Sequence, residues 1–214
     1  MIKYMSFHKK NKNHSGTPVF FYVRIVFILL FMLGSVLTNA QGNSNPEALK
    51  TYPILWQQHA AEYRALCYQA FNIAQLRLNE IPTKKFRKEK LAIITDLDET
   101  ILDNSYQEAQ LIKDKKPYTF ESWKQWVGKS AATAVPGAVE FLQAAKKKGV
   151  AIFYISNRDT GDLGATLVNL QKLNLPDADS AHALFLTNTS SKEVRRQIVM
   201  TQYNVIMLMG DNLN

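Results

Sequence analysis

The sequence predicts an α/β fold in which a parallel sheet is flanked by helices and a small helical cap is inserted after the first strand. Three observations lead there. Short apolar runs alternate with longer segments of helical periodicity. The runs are almost continuously apolar, as strands buried on both faces are. Polar residues able to do chemistry follow each run, at the strand ends where ligands collect in such sheets.

From Trp56 to Asn79 the residues Tyr63, Leu66, Cys67, Ala70, Phe71, Ala74 and Leu78 recur at the spacing of one helix face. That stripe reads as buried, and Cys67 on it reads as a core residue rather than a nucleophile. As the only cysteine it can form no intramolecular disulfide. A polar break, Pro82–Lys90, precedes the first strand, Leu91–Thr95, which ends at Asp96. Residues 103–135 are more polar and hold Tyr106, Tyr118, Phe120, Trp123 and Trp126, which marks them as the cap.

Pro136 opens and Gly149 closes a helix with Ala138, Phe141, Leu142 and Ala145 on one face. Val150–Ile155 is a second strand, Leu163–Leu173 a helix, Ala183–Thr187 a third strand, Ser191–Tyr203 a helix and Val205–Met209 a fourth strand. Asp96 with Asp98, Ser156-Asn157-Arg158, Asn188 with Thr189, and Asp211-Asn212 then follow the four strands and are expected to converge.

The formal charge is +8, of which residues 1–40 supply +5 through Lys3, Lys9, Lys10, Lys12 and Arg24, leaving +3 on the remainder. A modestly basic body suits a small anionic substrate, and no nucleic-acid partner is expected. Within the first forty residues a basic stretch precedes an apolar run, whose charge-free part is Ile25–Leu37, and Thr38-Asn39-Ala40 offers small residues before a cut. This predicts a signal peptide over 1–40, with an uncleaved membrane anchor as the alternative, and a mature domain from 41 to 214. Either way the body is expected to be exported, to the periplasm or outside the cell, and membrane-associated only if the leader is retained.

Asp96-Leu97-Asp98-Glu99-Thr100 places two carboxylates two residues apart at a strand end. Phosphoryl transfer needs an oxygen nucleophile, a proton donor for the leaving oxygen, and cations against the phosphate charge. A nucleophile must be ionised and a donor protonated, so two neighbouring carboxylates can divide work that one cannot do. A Mg²⁺ ion bound by hard oxygens would help keep Asp96 ionised, and Asp211 stands at another strand end as a further ligand. Each residue alone also has a plain reading: an acid pair or Ser156 as a cap, Lys192 as a solvated helix residue, Gly210-Asp211-Asn212 as a turn. Their order along the chain argues for the chemical reading.

That ordered set resembles the haloacid dehalogenase (HAD) superfamily of phosphohydrolases. The closer match is its class C acid phosphatases, the bacterial outer-membrane lipoprotein acid phosphatase and 5′-nucleotidase family. The resemblance runs from Gln57-Gln58-His59-Ala60-Ala61-Glu62-Tyr63 through the string Asp96 to Ser105, then Val135-Pro136-Gly137-Ala138, Ile155-Ser156-Asn157-Arg158 and Gly210-Asp211-Asn212-Leu213.

It implies a Rossmann-like HAD sheet. It also implies that Asp96 attacks phosphorus to form an aspartyl-phosphate, while Asp98 protonates the leaving alcohol and then activates water. Ser156, Asn157 and Lys192 would hold phosphate oxygens. Mg²⁺ would sit on Asp96, the backbone carbonyl of Asp98, and Asp211. Trp123 would stack on a nucleobase or other aromatic leaving group, or else serves as a cap-core tryptophan. A nucleoside monophosphate is the implied substrate, and a homodimer is a further expectation.

Two departures stand out. The family's acylated cysteine is absent near the leader, so a lipid anchor is not expected. The family's last motif continues past Asn214 with another aspartate and a phenylalanine, then a strand and a helix, so the chain is expected to be a fragment lacking the C-terminal part of the fold. Competing expectations are a non-catalytic metal- or nucleotide-binding protein that keeps the fold, an inactive fragment, and a storage-like relative. The intact Asp96, Asp98, Ser156, Lys192 and Asp211 argue against the first and last of these.

Overall fold

Strand β1 (Leu91–Thr95) runs through the middle of the sheet and is buried at all five positions. The computed structural model that shows this describes residues 49–186 and 188–212, within the unit Asn45–Asn214. The expected leader at 1–40 lies outside the described residues. Among the described residues no helix is long and apolar enough to cross a membrane.

Before β1 come helices α1 (Thr51–His59), α2 (Ala61–Glu80) and α3 (Thr83–Lys88). After it come β2 (Leu102–Asp103), α4 (Ser105–Asp114), α5 (Phe120–Gly128), β3 (Thr133–Ala134) and α6 (Ala138–Lys147). Then follow β4 (Ala151–Asp159), a 3₁₀ turn (Thr160–Asp162), α7 (Leu163–Lys172), β5 (Ala183–Leu186), α8 (Glu193–Met200) and β6 (Asn204–Met209). The four long strands form a parallel sheet in the order β5-β4-β1-β6. It is the parallel sheet flanked by helices that the alternation of apolar runs predicts.

The two-residue period of a strand decides which core each side chain enters. Leu91 and Ile93 of β1, with Ile152 and Tyr154 of β4, face a large core closed by Phe71, Ala74 and Leu78 of α2, by Phe141 and Leu142 of α6, and by Leu170 of α7. Ala92 and Ile94, with Phe153 and Ile155, face the other side, closed by Val199 of α8 and by Tyr203. Helix α6 ends on Gly149, whose φ of +85° lets its N–H reach the Lys146 carbonyl (2.9 Å) and the Val150 N–H reach Ala145 (3.2 Å).

The stretch between β2 and β3 holds α4 and α5. Its two ends are drawn together by an antiparallel ladder, Leu102 opposite Ala134 and Asp103 opposite Thr133. Helix α5 starts on a capping box between Thr119 and Ser122.

Two expectations change. The helix over 56–79 is two helices that part at Ala60, which takes extended backbone angles. Of its supposed stripe Phe71, Ala74 and Leu78 are buried, Tyr63 and Cys67 are half-buried, and Leu66 and Ala70 are exposed. Strand β4 runs to Asp159, so Ser156-Asn157-Arg158 lie within the strand and not in a loop after it; the pairing with β5 loses register between Ile155 and Asp159. On α8, Arg195 and Val199 are buried while Val194 and Ile198 are exposed.

Candidate active site

Asp96 stands one residue beyond β1, and its N–H donates to the Met209 carbonyl of β6 (2.9 Å), which extends the pairing of the two strands. Its carboxylate has a partner on each oxygen: Oδ1 accepts from the Leu97 N–H (2.8 Å) and Oδ2 is ion-paired with Lys192 Nζ. Lys192 sits at the residue before α8, so the start of that helix delivers the cation to the end of β1.

Beyond Leu97 the chain makes one tight turn, with Ile101 and Leu102 N–H both donating to the Leu97 carbonyl (2.9 and 2.8 Å) and Glu99 at φ +55°. The turn points Asp98 away from Asp96's partners and toward the cap side. There Asp98 Oδ1 accepts from Asn104 Nδ2 (2.8 Å) and from Arg158 Nη2 (2.7 Å) and Nε (3.2 Å), and Oδ2 accepts only from Arg158 Nε (3.2 Å).

The Arg158 side chain is 2% exposed. Its third nitrogen, Nη1, donates to Thr166 Oγ1 (2.9 Å), and its guanidinium carbon lies 5.4 Å from the centre of the Trp123 ring. A buried guanidinium must satisfy its donors and pair its charge, and these contacts do both. The two acids of the motif therefore occupy different settings, Asp96 beside an ammonium and Asp98 in a guanidinium and amide cradle.

Glu99 lies next to Asp98. Burial of its carboxyl, and then the charge of Asp98, push it up to about 7, against the pull of hydrogen bonds from Asn104. The residue as a whole is exposed, but its carboxyl is crowded by Asn104, whose backbone N–H (3.2 Å) and Nδ2 (3.1 Å) it accepts. The crowding at the carboxyl, rather than the exposure of the residue, governs its acidity.

Ser156 is buried near the end of β4, its Oγ accepting from the Arg158 N–H (3.1 Å). Arg195, buried on α8, donates to the Ser156 carbonyl, to Asn157 Oδ1 (2.6 Å) and to the Ser191 carbonyl (3.2 Å). Burial pulls its guanidinium below the usual range. Arg195 thus ties the Ser156-Asn157 segment to the turn that carries Lys192.

A cavity of about 340 Å³ opens beside Asp96 and Lys192, and one of about 460 Å³ lies beside Asn157; Lys192, Arg196 and Asn212 line both. Asp96, Asn157 and Lys192 come together around this connected, cation-rimmed space, which can take a tetrahedral oxyanion. Asp98 and Trp123 meet instead through Arg158, on the cap side. Asp211 is exposed and follows the β6 end that bonds Asp96.

The donors suit a hard cation. Asp96 and Asp211 offer carboxylates, and the Asp98 carbonyl accepts no hydrogen bond among the described residues. Among those residues no group of three histidine, cysteine, aspartate or glutamate side chains is placed to hold a metal ion.

Arg158 and Asn104 appear in the motif strings without a role, Trp126 is read only as an aromatic of the cap, and Arg195 and Lys124 escape a reading by sequence. A charged residue on a buried strand is the signal available for Arg158.

Residues 37–214 match the sequence model of the family described as HAD superfamily, subfamily IIIB (acid phosphatase). Among solved structures, the class C acid phosphatase from Bacillus anthracis with tungstate bound is 39% identical, with a TM-score of 0.74 over 79% of this chain and 71% of that one. A second structure, of the class C acid phosphatase from Bacillus anthracis, gives 39% identity and a TM-score of 0.70 over 75% and 67% of the two chains.

Proposed function

This chain belongs to the acid phosphatases of HAD subfamily IIIB, hydrolases of phosphoric monoesters that use a divalent metal, and on that premise we propose that it cleaves nucleoside monophosphates and similar small esters with Mg²⁺. The observation that carries the mechanism is the division of labour at the end of β1: Asp96 paired with Lys192, and Asp98 cradled by Arg158 and Asn104.

Asp96 attacks phosphorus, so that a carboxylate oxygen–phosphorus bond forms as the ester oxygen–phosphorus bond breaks. Lys192, paired with Asp96, keeps it an anion, and with Ser156 and Asn157 holds the phosphate oxygens. Asp98 gives its proton to the leaving oxygen and then takes one from the water that hydrolyses the aspartyl-phosphate. Asp96, the Asp98 carbonyl and Asp211 would hold Mg²⁺, which would supply positive charge against that of the phosphate.

Tungstate, the ligand of the Bacillus anthracis relative, is itself a tetrahedral oxyanion, and a corresponding anion fits the cation-rimmed space beside Asp96. Trp123, half-buried on the cap side against Arg158, is the proposed stacking surface for a base. We place the enzyme outside the cytoplasm, on the strength of the leader expected in residues 1–40.

The test is Mg²⁺-dependent phosphate release from p-nitrophenyl phosphate and from nucleoside monophosphates, with Asp96→Asn beside the parent. Turnover should vanish in the variant and on addition of EDTA, and return when Mg²⁺ is restored. Equal rates for parent and variant would overturn the mechanism. A preference for sugar phosphates over nucleotides would overturn the substrate assignment alone.

A further inference from the structure

Asn104 joins the cap to the acid of the reaction. Its Oδ1 accepts the indole N–H of Trp126 on α5 (2.8 Å), and its Nδ2 donates to Asp98 Oδ1 (2.8 Å) and Glu99 Oε1 (3.1 Å). An indole N–H can only donate, and an ionised carboxylate can only accept. The two neighbours therefore dictate which way the amide faces, carbonyl to Trp126 and NH₂ to Asp98. Asn104 itself is 3% exposed, so no solvent competes for these bonds.

The second half of the arrangement is the asymmetry of Asp98. Oδ1 receives three N–H contacts, from Asn104 Nδ2 and from Arg158 Nη2 and Nε, whereas Oδ2 receives one, at 3.2 Å. A carboxylate oxygen holding three donors has no lone pair left for a proton, and Oδ2 does.

We propose that Asn104 and Arg158 are positioning residues that make Oδ2 the proton-carrying oxygen of Asp98, and that Trp126 sets the Asn104 amide for this task from the cap. The proposal rests on Asp98 being the general acid of the reading above. In the first step the proton leaves Oδ2 for the ester oxygen, which keeps the electron pair of the breaking oxygen–phosphorus bond. Asp98 is left as a carboxylate whose Oδ1 is already matched to its donors. Without the indole donor, the Asn104 amide is free to turn its carbonyl toward Asp98, where two acceptors face each other and the carboxyl loses its fixed direction.

Leaving-group dependence separates this role from a merely structural one. The measurement is kcat/KM, which reports the steps up to the phosphoenzyme, for an alkyl phosphate, whose leaving oxygen needs a proton, and for 2,4-dinitrophenyl phosphate, whose leaving group does not. Trp126→Phe keeps the ring in its packing and removes the donor. Asn104→Asp keeps the shape and replaces the NH₂ by an oxygen.

Each variant should lose about ten to a hundred times more on the alkyl ester than on the dinitrophenyl ester, a part of the roughly 10²–10⁴-fold that general acid catalysis supplies in full. Arg158→Lys, which keeps the charge but not the two-pronged grip, should lie between parent and Asn104→Asp. Equal losses on both esters for Trp126→Phe and Asn104→Asp would overturn the proposal. Asp98→Asn in the same assay keeps the two readings apart. If it too shows no leaving-group bias, the general-acid reading has failed; if it alone shows the bias, only the positioning role has failed.

Discussion

Lys124 Nζ lies 2.9 Å from Asp162 Oδ1 and so fastens helix α5 of the cap to the 3₁₀ turn behind β4. A second carboxylate, Asp159, sits 3.3 Å from the same nitrogen. Asp162 is 7% exposed in its side chain and its other oxygen, Oδ2, has no hydrogen-bond partner. Lys124 is thus its main source of compensation. Lys124→Met should lower stability by about 1–3 kcal/mol, the usual cost of stranding a buried charged group. Urea unfolding of the two proteins measures it. The double change Lys124→Met with Asp162→Leu should recover part of the loss.

The same tether gives a pH dependence whose sign follows from its groups. The hydrogen bond to Asp162 raises the Lys124 amine above its ordinary value, so its contribution is complete below that value and is lost as pH rises through the higher folded one. The Gly161 N–H, and then Lys124, hold Asp159 below the ordinary carboxylate range, so its contribution is present above that range and is lost as pH falls through the lowered value. The difference in melting temperature between parent and Lys124→Met should be flat from about pH 5 to about pH 9, between the ordinary carboxylate and amine values. It should shrink at either extreme. A difference that changes within that window would contradict the assignment.

Lys192 is predicted to matter for chemistry more than for folding, because its charge answers to Asp96 and to phosphate oxygens. Lys192→Met should reduce kcat/KM for p-nitrophenyl phosphate by about a hundredfold, as removing one oriented donor to a developing charge does. Its melting temperature should stay within a few degrees of the parent.

Gly149 offers a test of backbone conformation free of steric complication, since a Cβ built there meets nothing within 4 Å and the φ is +85°. Gly149→Ala should cost about 1 kcal/mol by placing an alanine in the left-handed region. Gly128, also open to a Cβ but with no positive φ, is the control, and Gly128→Ala should not destabilise.

The strands and their order of polar followers are legible in the sequence because a strand covered on both faces must be apolar throughout, and Leu91–Thr95 is. The break at Ala60 is not, since alanine favours a helix. Contacts far along the chain impose it: Gln57 and Gln58 donate to Asp103 and Ser105, and Trp56 packs edge-on against Tyr63.

The face of α8 is hidden for a similar reason. Periodicity would bury Val194 and Ile198, yet Arg195 turns inward to serve the Ser156 carbonyl and Asn157, a need set by a strand nearly forty positions earlier. Asp96, Asp98 and Lys192 could be read as chemistry from their stations along the chain. Asn104 and Arg158 could not, because a positioning role exists only relative to the atom positioned.

Asp96 is hydrogen-bonded through its own N–H to the last residue of β6, a strand that among the described residues pairs only with β1. The reactive carboxylate is thereby moored to two strands at once, its own β1 and the neighbouring β6.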